Sequence, residues 1–187
     1  MNKSELRLEI KLKLKQLETR EHSDLCDRLT QQVIKFLKSQ NNQSQVVASF
    51  FPMKSEVAPD PVKLQKECPH ITWVFPMEEN GKMKFAETSG ELVTGPWTTN
   101  PGIIHTPQMI LMPGLAFDKQ GHRLGRGRSF YDQYLAAHTG FTKIAVTWSG
   151  QIVDHVPVEE HDQKVDEIIT ELGRWNVTRQ CLLEGEV

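Results

Sequence analysis

A chain of 187 residues with 22 Lys+Arg against 24 Asp+Glu is long enough to bury a proper core unaided, and it carries almost no net charge. That balance argues against a nucleic-acid coat or a polybasic membrane binder, which need a clear basic excess. No apolar run approaches the roughly 20 residues of a membrane helix, and the N-terminal MNKSELRLEIKLKLK lacks the apolar stretch of a secretion signal.

A single cytoplasmic domain over residues 1–187, acting as a monomer with no membrane or nucleic-acid partner, is therefore expected. Cys26, Cys68 and Cys181 are far apart and show no C-x-x-C spacing, so neither a disulfide framework nor a cysteine zinc site is indicated.

Leu6, Ile10, Leu14 and Leu17 recur at helical spacing between charges, which predicts an amphipathic helix over residues 3–19. Ser23 is placed to cap a second helix, whose apolar face is Leu25, Leu29, Val33, Phe36 and Leu37. A polar break at residues 41–45 leads to VVASFF, residues 46–51, a short buried strand ended by Pro52. The Pro-rich turn at residues 59–61 opens a helix carrying Val62, Leu64 and Cys68. ITWVF at residues 71–75 reads as a second strand, and NGK at residues 80–82 is a hairpin signal joining it to MKFAE.

Residues 88–107, rich in Thr, Gly, Pro and Asn, predict a long loop region around Trp97. MILM at residues 109–112 is a further buried strand, and a helix is expected over about residues 129–138. KIAVTW at 143–148 and DEIIT at 166–170 supply two more strands, while the last 14 residues carry no clear assignment. Apolar strands alternating with helices predict an α/β fold with a largely parallel central sheet flanked by helices. Ligands of such sheets bind beyond the carboxyl ends of the strands, which is where PGLAFDKQGHRLGRGRSFYD falls.

Within that stretch, RLGRGRSFYD concentrates arginines beside glycines, with a carboxylate directly downstream. Gly125 and Gly127 let the backbone bend tightly and approach a ligand without Cβ interference. Consecutive N–H groups there, and those at the following helix start, can cradle phosphate oxygens. Arg123, Arg126 and Arg128 add charge and bidentate hydrogen bonds. Asp132, one helical turn later, can hold a magnesium ion bridging the same phosphates. The loop is not a Walker A motif, because G-x-x-x-x-G-K-[ST] is absent. A solvated loop whose arginines pair with nearby acids is the alternative that the loop alone leaves open.

The longer string MPGLAFDKQGHRLGRGRSFYDQYL, however, resembles the signature of the 5-formyltetrahydrofolate cyclo-ligase (methenyltetrahydrofolate synthetase) family. Further matches occur in order: K-x-x-L-R at Lys3 to Arg7, the strand–Pro–x-x-x-Glu segment at SFFPMKSEV, and the closing P-x-x-x-x-D-x-x-[VL]-D-x-[IV] at VPVEEHDQKVDEIIT. Together they cover roughly residues 3–172. The resemblance implies a fold of the ribose-phosphate isomerase and CoA-transferase type. It also implies an ATP-dependent C–N ligase that uses magnesium to close 5-formyltetrahydrofolate, with or without a polyglutamate tail, into 5,10-methenyltetrahydrofolate. A relative that holds nucleotide or folate without turnover is the alternative.

By matching motif positions, the resemblance assigns Lys3, Arg7, Arg123, Leu124, Gly125, Arg126, Gly127, Arg128, Ser129, Phe130 and Tyr131 to the nucleotide. Asp132 and Asp162 are implied as magnesium ligands. Glu56 takes the family's substrate-side glutamate, and Phe51, Met53, Trp97 and Phe130 are candidate walls for the folate ring. Glu56, Arg126 and Arg128 are the residues expected at the chemistry itself. Lys3 and Arg7, four apart, share one helical face.

Three positions depart from the pattern. Ser129 replaces the usual third glycine: a positive φ there would strain it by roughly 1 kcal/mol or more, whereas a position that needs only a small residue would let the hydroxyl bond a phosphate. Asn100 stands where an acid is frequent, and Gln108 replaces an aspartate often found before the strand, which leaves the substrate side less well matched. Elsewhere, His155 and His161 flank VPVEE without a third zinc ligand, and Ser129 has no base at hydrolase spacing.

Overall fold

The computed structural model describes residues 1–40, 45–53, 55–88, 97–98, 101–160, 162–179 and 181–183. Helix α1 (Lys3–Gln16) leads to α2 (Thr19–Ser39), strand β1 (Gln45–Ala48), α3 (Pro61–Glu67) and β2 (Ile71–Glu79). A hairpin joins β2 to β3 (Lys82–Thr88), followed by β4 (Pro101–Ile104) and β5 (Met109–Met112). Next come β6 (Ala116–Asp118), β7 (Arg123–Leu124), α4 (Phe130–Ala137), β8 (Thr142–Val146) and β9 (Ile152–Val153). The chain ends with β10 (Glu167–Thr170), β11 (Gly173–Asn176) and β12 (Cys181–Leu183).

Nine strands form one sheet in the order β12-β11-β10-β8-β5-β1-β2-β3-β4. The five central strands, β10-β8-β5-β1-β2, run parallel, and an antiparallel pair extends each end. This is the predicted α/β architecture, with meanders at both edges.

Period-two alternation divides the core. Met109 and Leu111 of β5 pack on one face with α1, α2 and α3, while Ile110 and Met112 pack on the other with α4. Both faces are covered, so MILM reads as a continuous apolar run rather than an alternating one. α1 contributes Leu6, Ile10 and Leu14 to this core, and α2 contributes Leu25, Leu29, Val33 and Leu37. Pro61 sits in the first turn of α3, and the Asp60 carboxylate accepts the Val62 and Lys63 amides as its cap. Asn80 and Gly81 both have positive φ, 53° and 77°, as the tight β2–β3 hairpin requires.

Several boundaries differ from the sequence reading. α1 stops at Gln16, with Leu17 already extended. α2 begins at Thr19 after Glu18, which makes no side-chain cap bond, so Ser23 lies inside the helix. Its long apolar face outweighs the missing cap. β1 ends at Ala48, earlier than VVASFF suggested. β4 replaces part of the expected loop; it is an exposed edge strand, and no apolar pattern announces it. β11 and β12 occupy part of the unassigned C-terminal stretch.

A second, three-stranded sheet, β7-β6-β9, also escaped prediction, because strands of two or three residues are too short to show a period. It is organised by Asp118, which is fully buried. The Asp118 carboxylate accepts the Gln120 and His122 amides at 3.0 Å, the His122 ring at 2.8 Å and the Val156 amide at 3.0 Å. One buried acid thereby fixes the β6–β7 turn and ties it to the segment leading to Asp162.

Candidate active site

The carboxyl ends of β1 and β5 open into a cavity of about 570 Å³. Every residue assigned to nucleotide, magnesium or folate from the sequence lines it: Lys3, Arg7, Phe51, Met53, Glu56, Trp97, the run from Arg123 to Asp132, and Asp162. Ser4, Phe50, Pro76, Pro113, Gly114 and Glu159 complete the wall. Sequence reasoning named none of these six as site residues. Pro113 and Gly114 did stand inside the quoted motif, and Glu159 lies one turn before Asp162.

α1 delivers two of the cations. The Asn2 side chain accepts the Ser4 and Glu5 amides at 2.9 and 3.0 Å, and Glu5 accepts the Asn2 amide at 2.8 Å. This capping box fixes the first turn, while Leu6 and Ile10, on the adjoining face, anchor the helix in the core. Lys3 Nζ then donates to Asp162 Oδ2 at 2.6 Å and lies 3.3 Å from Glu159. Arg7 Nε donates to the Gly125 carbonyl at 3.0 Å, joining α1 to the glycine–arginine loop.

Three positions in the loop depend on glycine or its conformation. A Cβ on Gly125 would lie 3.0 Å from Arg123 Nη1, so glycine there makes room for the guanidinium. Gly127 has φ +101°, where L side chains are strained, and only the Arg7 guanidinium lies near a Cβ position, at 3.9 Å. Ser129 closes the loop at φ 51°, ψ 14°, left-handed, as the N-cap of α4, yet its hydroxyl makes no cap bond. This is the strained alternative foreseen for the missing glycine.

Arg123 is buried, unusually for its type. Its Nη2 donates to both Asp132 oxygens at 2.9 Å, and its guanidinium lies 5.5 Å from the Tyr131 ring centre. Arg123 Nε and the Tyr131 hydroxyl are both shut off from solvent and have no hydrogen-bond partner among the described residues. Burial pushes the Tyr131 phenol far above its usual range; Arg123 opposes that shift and the Glu56 carboxylate adds to it.

Across the cavity, Glu56 Oε1 accepts from Arg126 Nε at 2.9 Å and Nη2 at 2.5 Å, and its Oε2 accepts the Met53 amide at 2.9 Å. Arg128 is exposed and has no ion-pair partner among the described residues. Trp97 meets Phe130 edge-on, with ring centres 4.9 Å apart. Phe51 stacks on Phe75 at 4.6 Å and is only 4% exposed, so it serves the core as well as the cavity. Met53, 43% exposed, offers a flexible apolar surface at the rim.

Asp132 and Asp162 line the same cavity, each held by a basic side chain. Among the described residues no three His, Cys, Asp or Glu side chains cluster to hold a metal on their own. His161 and Asn100 lie outside the described residues. Gln108 is at the amino end of β5, away from the cavity, and its side-chain oxygen accepts the Val46 amide at 2.8 Å. That departure from the family pattern therefore concerns the sheet and not the substrate.

Residues 1–171 match the 5-formyltetrahydrofolate cyclo-ligase family. The mouse 5-formyltetrahydrofolate cyclo-ligase is 31% identical, with 89% of this chain and 92% of that one aligned. The Mycoplasma genitalium enzyme of the same name is 32% identical over 73% of this chain and 78% of its own. Among solved structures, the 5,10-methenyltetrahydrofolate synthetase of Mycoplasma pneumoniae superposes with a TM-score of 0.75 at 26% identity, over 91% of this chain and 99% of that one. The Aquifex aeolicus 5,10-methenyltetrahydrofolate synthetase gives 0.76 at 27% identity, over 100% and 96%. With its ordered motifs gathered around one cavity and its match running almost from end to end, the chain belongs to the 5-formyltetrahydrofolate cyclo-ligase family.

Proposed function

We propose that this protein couples ATP hydrolysis to the cyclisation of 5-formyltetrahydrofolate into 5,10-methenyltetrahydrofolate. The observation that carries the reading is one cavity lined both by a cation-rich glycine turn and by a carboxylate with apolar and aromatic surfaces. Lys3, Arg7, Arg123 and Arg128 face it beside a glycine-rich turn, as phosphates require. Glu56, Met53, Trp97 and Phe130 offer a carboxylate and apolar surfaces, as a flat heterocycle with ring N–H groups requires.

The formyl oxygen is a poor leaving group. Transfer of the γ-phosphoryl group of ATP to it releases ADP and turns that oxygen into a phosphate ester. N10 then attacks the formyl carbon, the C–O bond breaks, phosphate departs, and the N10 proton is lost to solvent or a nearby base. Phosphoryl transfer needs positioning and charge neutralisation above all. Lys3, Arg7, Arg123, Arg126, Arg128 and the amides from Gly125 to Tyr131 supply these. Glu56 orients the pterin or receives the proton that N10 loses.

Asp132 and Asp162 fit a magnesium ion arriving with the nucleotide, because such an ion keeps water and phosphate ligands and needs only one or two carboxylates. When bound, the metal neutralises phosphate charge. Asp132 and Asp162 would hold that ion, and Arg123 and Lys3, now paired with them, would be the cations nearest to bound phosphates. Small-molecule chemistry of this kind suits a cytoplasmic monomer acting on the folate, with or without its glutamate tail.

Left-handed Ser129 favours a second reading, a relative that binds but does not turn over. Purified protein mixed with 5-formyltetrahydrofolate and MgATP separates the two. Methenyl absorbance should rise only when both substrates are present. Binding of both without any rise would make the protein a non-catalytic relative.

A further inference from the structure

One polar stripe of α2 lies against the segment that carries Glu56, and the chemistry above does not use it. His22, Cys26 and Thr30 stand four residues apart, one above another on the helix. His22 Nε2 lies 3.1 Å from the Glu56 carbonyl oxygen. Cys26 lies beside the Ala58 backbone, which counters the upward push of burial on its thiol. Thr30 Oγ1 accepts the Asp60 amide at 3.0 Å while donating to the Cys26 carbonyl at 2.6 Å.

The spacing is a metric match. Four residues of helix advance about 6 Å, and two residues of near-extended chain advance about 6.6 Å. Each turn of α2 therefore meets every second residue, 56, 58 and 60, of the segment that leaves β1.

The first of these contacts bears on the cavity. A carbonyl only accepts, so His22 Nε2 carries the hydrogen, and Nδ1 is left as the acceptor 3.7 Å from Cys26 Sγ. Burial pushes the Cys26 thiol up, outweighing the Ala58 amide, so the sulfur keeps a proton to share with that nitrogen. Glu56 is held on its other side by its own turn: its amide donates to the Met53 carbonyl at 2.8 Å, and its carboxylate accepts the Met53 amide. With its carbonyl fixed by His22 and its amide by Met53, the Glu56 backbone has little freedom to re-aim the side chain.

We infer that His22 is a positioning residue: through the Glu56 carbonyl it sets the direction in which the Glu56 carboxylate meets the folate. The inference rests on the cyclo-ligase reading of the cavity. It is tested by steady-state kinetics of His22→Ala, His22→Gln, Glu56→Gln and the Glu56→Gln/His22→Ala double variant, with thermal melts alongside.

His22→Ala should raise the folate KM roughly tenfold, the worth of one neutral hydrogen bond, and leave the ATP KM unchanged. His22→Gln, whose amide nitrogen can donate at the Nε2 position, should restore most of the loss. In the Glu56→Gln background the further change to His22→Ala should add nothing to the folate KM, because the two act as one unit. Equal losses for both substrates, additive losses in the double variant, or an unchanged folate KM would each overturn the role. So would imidazole nitrogen shifts showing the hydrogen on Nδ1 of His22. Absence of turnover in the unmodified protein would instead remove the cyclo-ligase reading, and this inference with it.

Discussion

Ser129 sits at φ 51° with an unbonded hydroxyl, at the point where the arginine loop becomes α4. Left-handed backbone costs an L residue about 1–2 kcal/mol, and here no cap bond offsets it. Glycine removes that strain, although it loses more freedom on folding. Ser129→Gly should therefore stabilise the protein by up to about 1 kcal/mol in urea unfolding and leave MgATP affinity unchanged. A fall in nucleotide affinity would show instead that the hydroxyl is a phosphate contact. The need for positive φ was legible only as an alternative, because a serine in place of glycine is equally compatible with a position that demands smallness alone. The same limit applies to Arg123: its sequence position marks it for phosphate, but nothing in the string reveals that its resting partner is Asp132.

At the scale of elements, the glycine–arginine loop divides its work between shape and charge. Gly127, at φ +101°, has only the Arg7 guanidinium near its Cβ position, at an ordinary contact distance of 3.9 Å. Gly127→Val should therefore act through backbone strain, of about 1–3 kcal/mol, rather than by collision, and should distort the cradle and lower nucleotide affinity severely. Arg128→Ala leaves the backbone intact. It should weaken MgATP binding by about 1–3 kcal/mol, with a loss that shrinks as salt rises. Calorimetric titration of both folded variants checks this, and normal affinity in both would exclude the loop as the cradle.

Elements with strong local signals were the ones read correctly. MILM is apolar throughout, Asn80-Gly81 is a hairpin turn, and Asp60-Pro61 starts a helix. Elements defined by distant partners were not. β6, β7 and β9 exist because buried Asp118 gathers their turn, and β4, β11 and β12 extend a sheet whose edges only the folded chain displays. The α2 stripe was hidden for the same reason, since its apolar face dominates the helical pattern and His22 meets Glu56 only in the fold.

Across the whole molecule, the five parallel strands bring the α1 cations, the β1 exit loop and the arginine loop to one end of the sheet. Ion pairs line the resulting cavity: Lys3 with Asp162 and Glu159, Arg123 with Asp132, and Arg126 with Glu56. A cavity arranged in this way holds its cations and carboxylates ready but mutually engaged, and ligands carrying both phosphate and N–H groups are suited to part them. In the proposed reaction ATP activates the formyl oxygen. Following that atom tests this most directly, with 5-formyltetrahydrofolate labelled by ¹⁸O in the formyl group and turned over with MgATP. The label should appear in inorganic phosphate, with one ADP and one phosphate formed per methenyl product. Label released into water, with unlabelled phosphate, would contradict it.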